Sequence, residues 1–214
     1  MPNNRSNPTE DISLLDAIYS QRSTRHFSTR PVSHDDVRTI LKAAVRAPSG
    51  GNRQPWRFIV IRDDQTKRRL GEWYLSAWMA SVDESLREQE AYRSGGDLGK
   101  GMADIPVVIL VCIDQDLGFG GLSTVTEGAS IYPAVQNLLL TSRSLGLGTV
   151  LTTLHTLHEQ EIKEILGIPE RIHTVALIPL GYPMEGEGFG GSKRKPIGEV
   201  TFYDKWGASE ETTS

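Results

Sequence analysis

Residues 47–58, Ala-Pro-Ser-Gly-Gly-Asn-Arg-Gln-Pro-Trp-Arg-Phe, decide how the chain is read. Ahead of them Val37, Ile40, Leu41 and Ala44 recur at helical spacing,. Ser33-His34-Asp35-Asp36 starts that helix in capping-box form, with Asp in place of the usual Glu,. The helix must stop before Pro48, whose ring disfavours helical backbone in the residue before it. Gly50 and Gly51 then make a tight turn with exposed backbone amides, and Trp56 and Phe58 lead into a strand over 57–61,. Turn chemistry accounts for Pro48, Gly50 and Gly51, but not for the side-chain amides of Asn52 and Gln54,.

Upstream, residues 21–27 read Gln-Arg-Ser-Thr-Arg-His-Phe. Arg22, Ser23 and Arg25 put two guanidiniums and a hydroxyl within four residues, a grip for a phosphate or another planar anion,. The bland alternative is a basic residue stabilising a helix C-terminus. Taken together, the two blocks suggest a site holding an anionic tail at one end and a flat polar ring at the other, the shape of a flavin mononucleotide (FMN).

The remaining chain alternates helices and strands. Leu14, Leu15 and Ile18 fit one helical face. A long helix is expected over about 65–92, broken by Ser94-Gly95-Gly96, and a second over about 123–144, kinked by Pro133,. Residues 105–113 form a continuous apolar strand buried on both faces, with further strands at 149–152 and 173–180 and a short helix at 158–166,. Gly118, Gly120 and Gly121 mark a loop. Residues 184–192 are Gly-rich, and 193–207 form an extended tail with an aromatic cluster of Phe202, Tyr203 and Trp206. The pattern implies an α+β domain over 12–207, with a disordered N-terminus at 1–11 and a flexible tail at 208–214.

Composition excludes several classes. The 214 residues carry a net charge of −4, which points away from bulk nucleic-acid binding,. The single cysteine, Cys112, lies within an apolar run and reads as a buried structural thiol,. The N-terminus lacks the apolar core of a secretory signal and no apolar run reaches membrane-spanning length, so a cytoplasmic protein is expected. Gly146-Leu147-Gly148 follows a helix and precedes a strand, the reverse of a dinucleotide fingerprint. Ser49 sits in no nucleophile elbow, and His155 and His158 have no partners at zinc spacing.

Arg-Ser-x-Arg-x-Phe followed by Ala-Pro-Ser-x-x-Asn-x-Gln-Pro-Trp-x-Phe, then Gly181-Tyr182-Pro183 and Lys193-Arg194-Lys195-Pro196, resembles the nitroreductase family of flavoproteins across about residues 14–196. The resemblance implies a nitroreductase-like fold: a central, mostly antiparallel sheet flanked by long helices, with a C-terminal extension. It implies FMN as cofactor, NAD(P)H as co-substrate, and a homodimer with FMN at the subunit interface. Arg22 and Ser23 would meet the phosphate and ribityl chain. Arg25 would reach the pyrimidine edge, where a cation stabilises negative charge on the reduced ring. Pro48, Ser49, Gly50, Asn52 and Gln54 would line the flavin, some of them across the dimer. Thr152, Thr153 and Leu154 would offer a backbone N–H to flavin N5 and O4. Arg194, with Lys195 or Ser192 next in order, would give a second phosphate contact. The chain departs from the family at Gln21, often basic there, and at 151–154, where many members have Pro-x-Glu-Gly.

The implied reaction is hydride transfer from NAD(P)H through flavin N5 to an electron-poor small molecule such as a nitroaromatic or quinone, by ping-pong kinetics. No side-chain nucleophile is then required. Acceptor choice is expected from 93–103 and 114–126, read as Gly-rich and mobile. Rival readings are a flavin-fragmenting or dehalogenating enzyme on the same scaffold, a non-catalytic flavin-sequestering protein, and a deazaflavin as the electron carrier.

Overall fold

The computed structural model describes residues 12–117 and 128–209. In chain order its longer elements are α1 (Leu14–Ser20), α2 (His34–Ala44), β1 (Trp56–Ile61), α3 (Asp64–Ser81), α4 (Glu90–Lys100), β2 (Val107–Asp114), α5 (Tyr132–Ser144), β3 (Gly148–Thr149), α6 (Glu159–Leu166) and β4 (Ile172–Gly181). The strands form one antiparallel sheet in the order β1-β2-β4-β3. This is the α+β architecture expected from the pattern. The expected N-terminal disorder at 1–11, the Gly118–Gly121 loop and the last five tail residues lie outside the described residues.

All eight residues of β2 are buried. Alternate side chains of a strand point to opposite faces. Val107, Ile109, Val111 and Ile113 join Val37, Ile40, Val135 and Leu138 of α2 and α5 on one side. Val108, Leu110 and Cys112 join Leu70, Tyr74 and Trp78 of α3 and Leu98 of α4 on the other. An antiparallel sheet usually leaves one face to water. Here both are roofed, so β2 reads as an unbroken apolar run. Burial pushes the Cys112 thiol up to about 12, far from a reactive thiolate,.

Local chemistry sets the helix ends. The Ser33 hydroxyl accepts the Asp36 N–H at 2.9 Å and caps α2,. The full reciprocal capping box belongs instead to α1, between Ser13 and Asp16. Asp63 caps α3 by accepting the Thr66 N–H at 2.7 Å.

Three expectations are corrected. The helix expected over 65–92 ends at Ser81, and Val82 onward leads through a short 3-10 turn, Glu84–Leu86. Ser94-Gly95-Gly96 does not break a helix: these residues lie within α4, so 93–100 is no mobile loop. The glycines serve close approach. A Cβ on Gly95 would sit 2.7 Å from Trp78 Nε1, and one on Gly71 of α3 would sit 2.5 Å from the Gly99 carbonyl oxygen. Finally, Pro133 falls in the first turn of α5, where a missing N–H leaves no helical bond unmade, and it kinks nothing,. Among the described residues no helix is long and apolar enough to cross a membrane.

His155 is fully buried beside the α3 layer, and neither ring nitrogen has a hydrogen-bond partner. Burial lowers its pKa to about 4, against the opposing pull of the Glu159 carboxylate,.

Two outcomes follow from this packing. Gly71→Ala should destabilise the protein by about 1–3 kcal/mol in thermal or urea unfolding, outweighing the roughly 1 kcal/mol gain in helix propensity. A neutral or stabilising effect would refute the close α3–α4 contact. For His155 the unfolded chain takes up a proton near pH 6.5 while the folded chain resists until about 4. Stability should therefore fall as pH drops through that window, by an amount on the order of 3 kcal/mol. A pH series of melting temperatures should be flatter for His155→Phe than for the parent; equal slopes would show that another group carries the effect.

Candidate functional site

The segment carrying Arg22, Ser23 and Arg25 is laid against the free side of β3. The Thr24 N–H donates to the Thr149 carbonyl at 2.9 Å, and Ser23 pairs with Thr149 in a parallel bridge. Thr24 is buried and packs on Gly148, where a Cβ would approach its side chain to 2.6–2.8 Å. Gly148 is thus required for backbone approach. Because Thr24 points inward, the intervening chain leaves Arg22 and Ser23 exposed and Arg25 half-buried.

Opposite them runs the 184–192 loop. Its Gly190 and Gly191 have left-handed backbones (φ 79° and 73°), which glycine adopts without steric cost,. The Gly190 N–H donates to the Ser20 carbonyl at 2.6 Å, so the loop returns to the residue where α1 ends. Between the two segments lies a cavity of about 380 Å³ lined by Gln21, Arg22, Ser23, Arg25, Gly190, Gly191, Ser192 and Arg194. Three guanidiniums and two hydroxyls face it, and no carboxylate is among the lining residues. That donor set suits a phosphate. Lys193 and Lys195 are exposed and do not line it; the Arg194 guanidinium bonds the Lys193 carbonyl at 2.9 Å. Gln21, singled out as a departure from the family, is one of the walls.

Thr152 is adjacent in space. Its backbone exchanges hydrogen bonds with Leu177 at 3.1 and 2.9 Å, extending the β3 edge past the two-residue strand. Its hydroxyl accepts from the Leu154 N–H at 3.4 Å. Burial raises the Tyr74 pKa, with the Thr152 hydrogen bond and the Arg25 charge opposing it. Tyr74 thus feels both the Arg25 charge and Thr152. Thr153 is exposed and Leu154 half-buried, and a 3-10 turn, Leu154–His158, follows. From sequence, Trp73, Tyr74 and Trp78 read first as core and interface packing and second as a set of which one lines the ring pocket; Gly148 is read only as part of the reversed fingerprint Gly146-Leu147-Gly148, with no role in the site.

Pro48, Ser49, Gly50, Asn52 and Gln54 lie elsewhere, and none lines this cavity. The Gly50 N–H donates to the Ser130 hydroxyl at 3.2 Å, two residues ahead of α5, whereas Arg143 in the last turn of α5 bonds Ser20. Thirteen helical residues separate the two blocks by ~20 Å,. The turn itself is strained: Asn52 and Gln54 have φ of 54° and 51°. Asparagine tolerates this conformation; glutamine pays roughly 1–2 kcal/mol for it. The Ser49 hydroxyl accepts the Gln54 N–H at 3.0 Å, and Arg57 donates to the Gln54 carbonyl at 3.3 Å while pairing with buried Asp114 at 3.0 Å. These contacts hold both exposed amides outward.

Comparison with known proteins identifies the family. A profile of the Nitroreductase family matches residues 18–182. A protein of Archaeoglobus fulgidus named for NADH dehydrogenase/NAD(P)H nitroreductase is 33% identical over 177 residues, 82% of this chain and 88% of the relative. The 5,6-dimethylbenzimidazole synthase of Rhodospirillum rubrum is 30% identical over 191 residues, 85% of this chain and 89% of the relative. A nitroreductase from Desulfovibrio desulfuricans, solved in complex with FMN, superimposes with a TM-score of 0.66 at 29% identity, covering 94% of this chain and 99% of that one. By the extent of the profile match, and by relatives above 30% identity along most of its length, this chain belongs to the nitroreductase family.

Proposed function

We propose that the protein is an FMN-dependent oxidoreductase that uses NAD(P)H to reduce an electron-poor small molecule such as a nitroaromatic or quinone. The observation that carries the reading is the cavity in which Arg22, Arg25 and Arg194 converge without a carboxylate. Arg22, Ser23, Ser192 and Arg194 would hold the phosphate by charge-assisted hydrogen bonds. Arg25, half-buried, would face the pyrimidine edge of the ring, where its positive charge stabilises the build-up of negative charge,. The backbone of the Thr152–Leu154 turn would supply the donor to the ring's reactive edge, with exposed Thr153 the most accessible of the three. Main-chain donors are indifferent to side-chain identity, so the absence of Pro-x-Glu-Gly does not remove them. Bound FMN would supply the two-electron chemistry, taking hydride at N5 from NAD(P)H and delivering it to the acceptor.

A homodimer fits two observations. The strained Ser49–Gln54 turn projects its amides to solvent ~20 Å from the cavity of its own chain,. Leu14, Leu15, Ile18 and Tyr19 of α1 are also exposed, forming an apolar face on the helix that leads into the arginine block,. We assign the turn to the flavin of the partner subunit and the α1 face to the interface.

A second reading, chemistry on the flavin itself, draws support from the 30% identity to 5,6-dimethylbenzimidazole synthase. The two separate in one experiment. The purified protein should show a flavin absorbance spectrum that bleaches anaerobically with NADH or NADPH and returns when a quinone is added. Loss of flavin from reduced protein under oxygen, without nicotinamide turnover, would favour the second reading. Arg22→Glu should weaken FMN binding roughly 10- to 100-fold, since it replaces a charge-assisted donor by a repelling carboxylate. Unchanged FMN affinity in that variant would remove the phosphate assignment.

A further inference from the structure

We propose that Arg143, which does not line the anion cavity, is the positioning residue that closes it and so sets the preference for a phosphorylated over an unphosphorylated flavin; this rests on the FMN reading above. Arg143 sits in the last turn of α5. Its Nε donates to the Ser20 hydroxyl at 2.8 Å, and its guanidinium carbon lies 4.0 Å from the centroid of the Phe189 ring. Phe189 directly precedes Gly190, whose N–H is held by the carbonyl of the same Ser20. Ser20 directly precedes the Gln21–Arg25 wall. One guanidinium therefore ties together the two chain segments that face each other across the cavity, 123 residues of sequence from one anchor.

The arrangement has few substitutes. The loop 184–192 is also tethered at its entry, where the Met184 N–H donates to the His26 carbonyl at 3.0 Å and the His26 ring meets Glu187 at 2.7 Å. That tether lies several residues ahead of Ser192 and Arg194. Gly190 and Gly191, both left-handed, lie between that tether and Ser192 and let the backbone hinge there,. With Arg143 removed, the Gly190–Ser20 bond would be the remaining tie at the exit. Burial lowers the Arg143 pKa, with Asp16 opposing it. The planar, stacked guanidinium is a role that a lysine ammonium does not reproduce.

The test titrates apoprotein with FMN and with riboflavin and compares the ratio of dissociation constants. The parent should prefer FMN. In Arg143→Gln the ratio should fall on the order of tenfold, through weaker FMN binding with riboflavin affinity unchanged. Arg143→Lys keeps the charge but not the stacked fork and should fall nearly as far. Phe189→Ala, which alters no charge and sits at the loop, should move in the same direction and stands in if the arginine variants do not fold. A parental ratio in Arg143→Gln, or full recovery of the ratio in Arg143→Lys, would overturn the positioning role, the second because charge alone would then suffice. A parent that binds neither flavin, or binds both equally, would overturn the phosphate reading and this inference with it.

Discussion

Val107 to Asp114 offer nothing to solvent, and because their side chains alternate in direction, a layer must cover each sheet face,. Helices α2 and α5 supply one layer and α3 and α4 the other. With both faces sealed, polar chemistry is confined to the sheet's margins. The β3 edge is where that becomes useful: β3 has only two residues, so the neighbouring Arg22–Arg25 segment can pair along it and Thr152 can resume pairing beyond it. The buried strand thus determines where the candidate site can lie, although it contributes no residue to the anion cavity.

Electrostatics then separates this margin from the others. Elsewhere several basic side chains pair with acids, as Arg57 does with Asp114, Lys67 with Asp64 and Lys163 with Glu170. Around the cavity Arg22, Arg25 and Arg194 are joined by two serines and no carboxylate, leaving positive charge for a ligand to neutralise. Arg194 and the Arg22 block come from opposite ends of the sequence. Ser20 unites them, with its carbonyl on the Gly190 loop and its hydroxyl on Arg143. The turn at 49–54 shows a different economy: local strain at Asn52 and Gln54 is held by Ser49 and Arg57 while the amides stay exposed. The two regions share a family signature without sharing a cavity within one chain.

How much of this was legible in advance depended on the range of the interactions. Helix α2 was readable from its 3.6-residue period and Ser33, and β2 from its unbroken apolar run, because both signals lie within a dozen residues. Helix α4 was misread because Gly95 and Gly96 carry a poor local helix propensity, and the reason for them, Trp78 of α3, lies in another element. Pro133 was misread because a proline marks either a kink or a start, and only the true helix boundary distinguishes them. For the site, Arg22, Ser23 and Arg25 had a local rationale. Arg194 was placed by resemblance alone, its spacing from Ser192 and Lys195 deciding nothing. Gly148 and Arg143 were invisible because their roles arise from contacts more than a hundred residues away.

The sealed position of Cys112 has a practical corollary. It is the sole sulfhydryl in the sequence, and its proton is held so firmly that alkylating reagents at neutral pH meet almost no thiolate,. A cysteine introduced on the aromatic tail or on the Gly-rich loop would then be the single handle for a fluorophore or spin label. The wild-type chain is in effect already the thiol-free background that distance measurements between two such probes require.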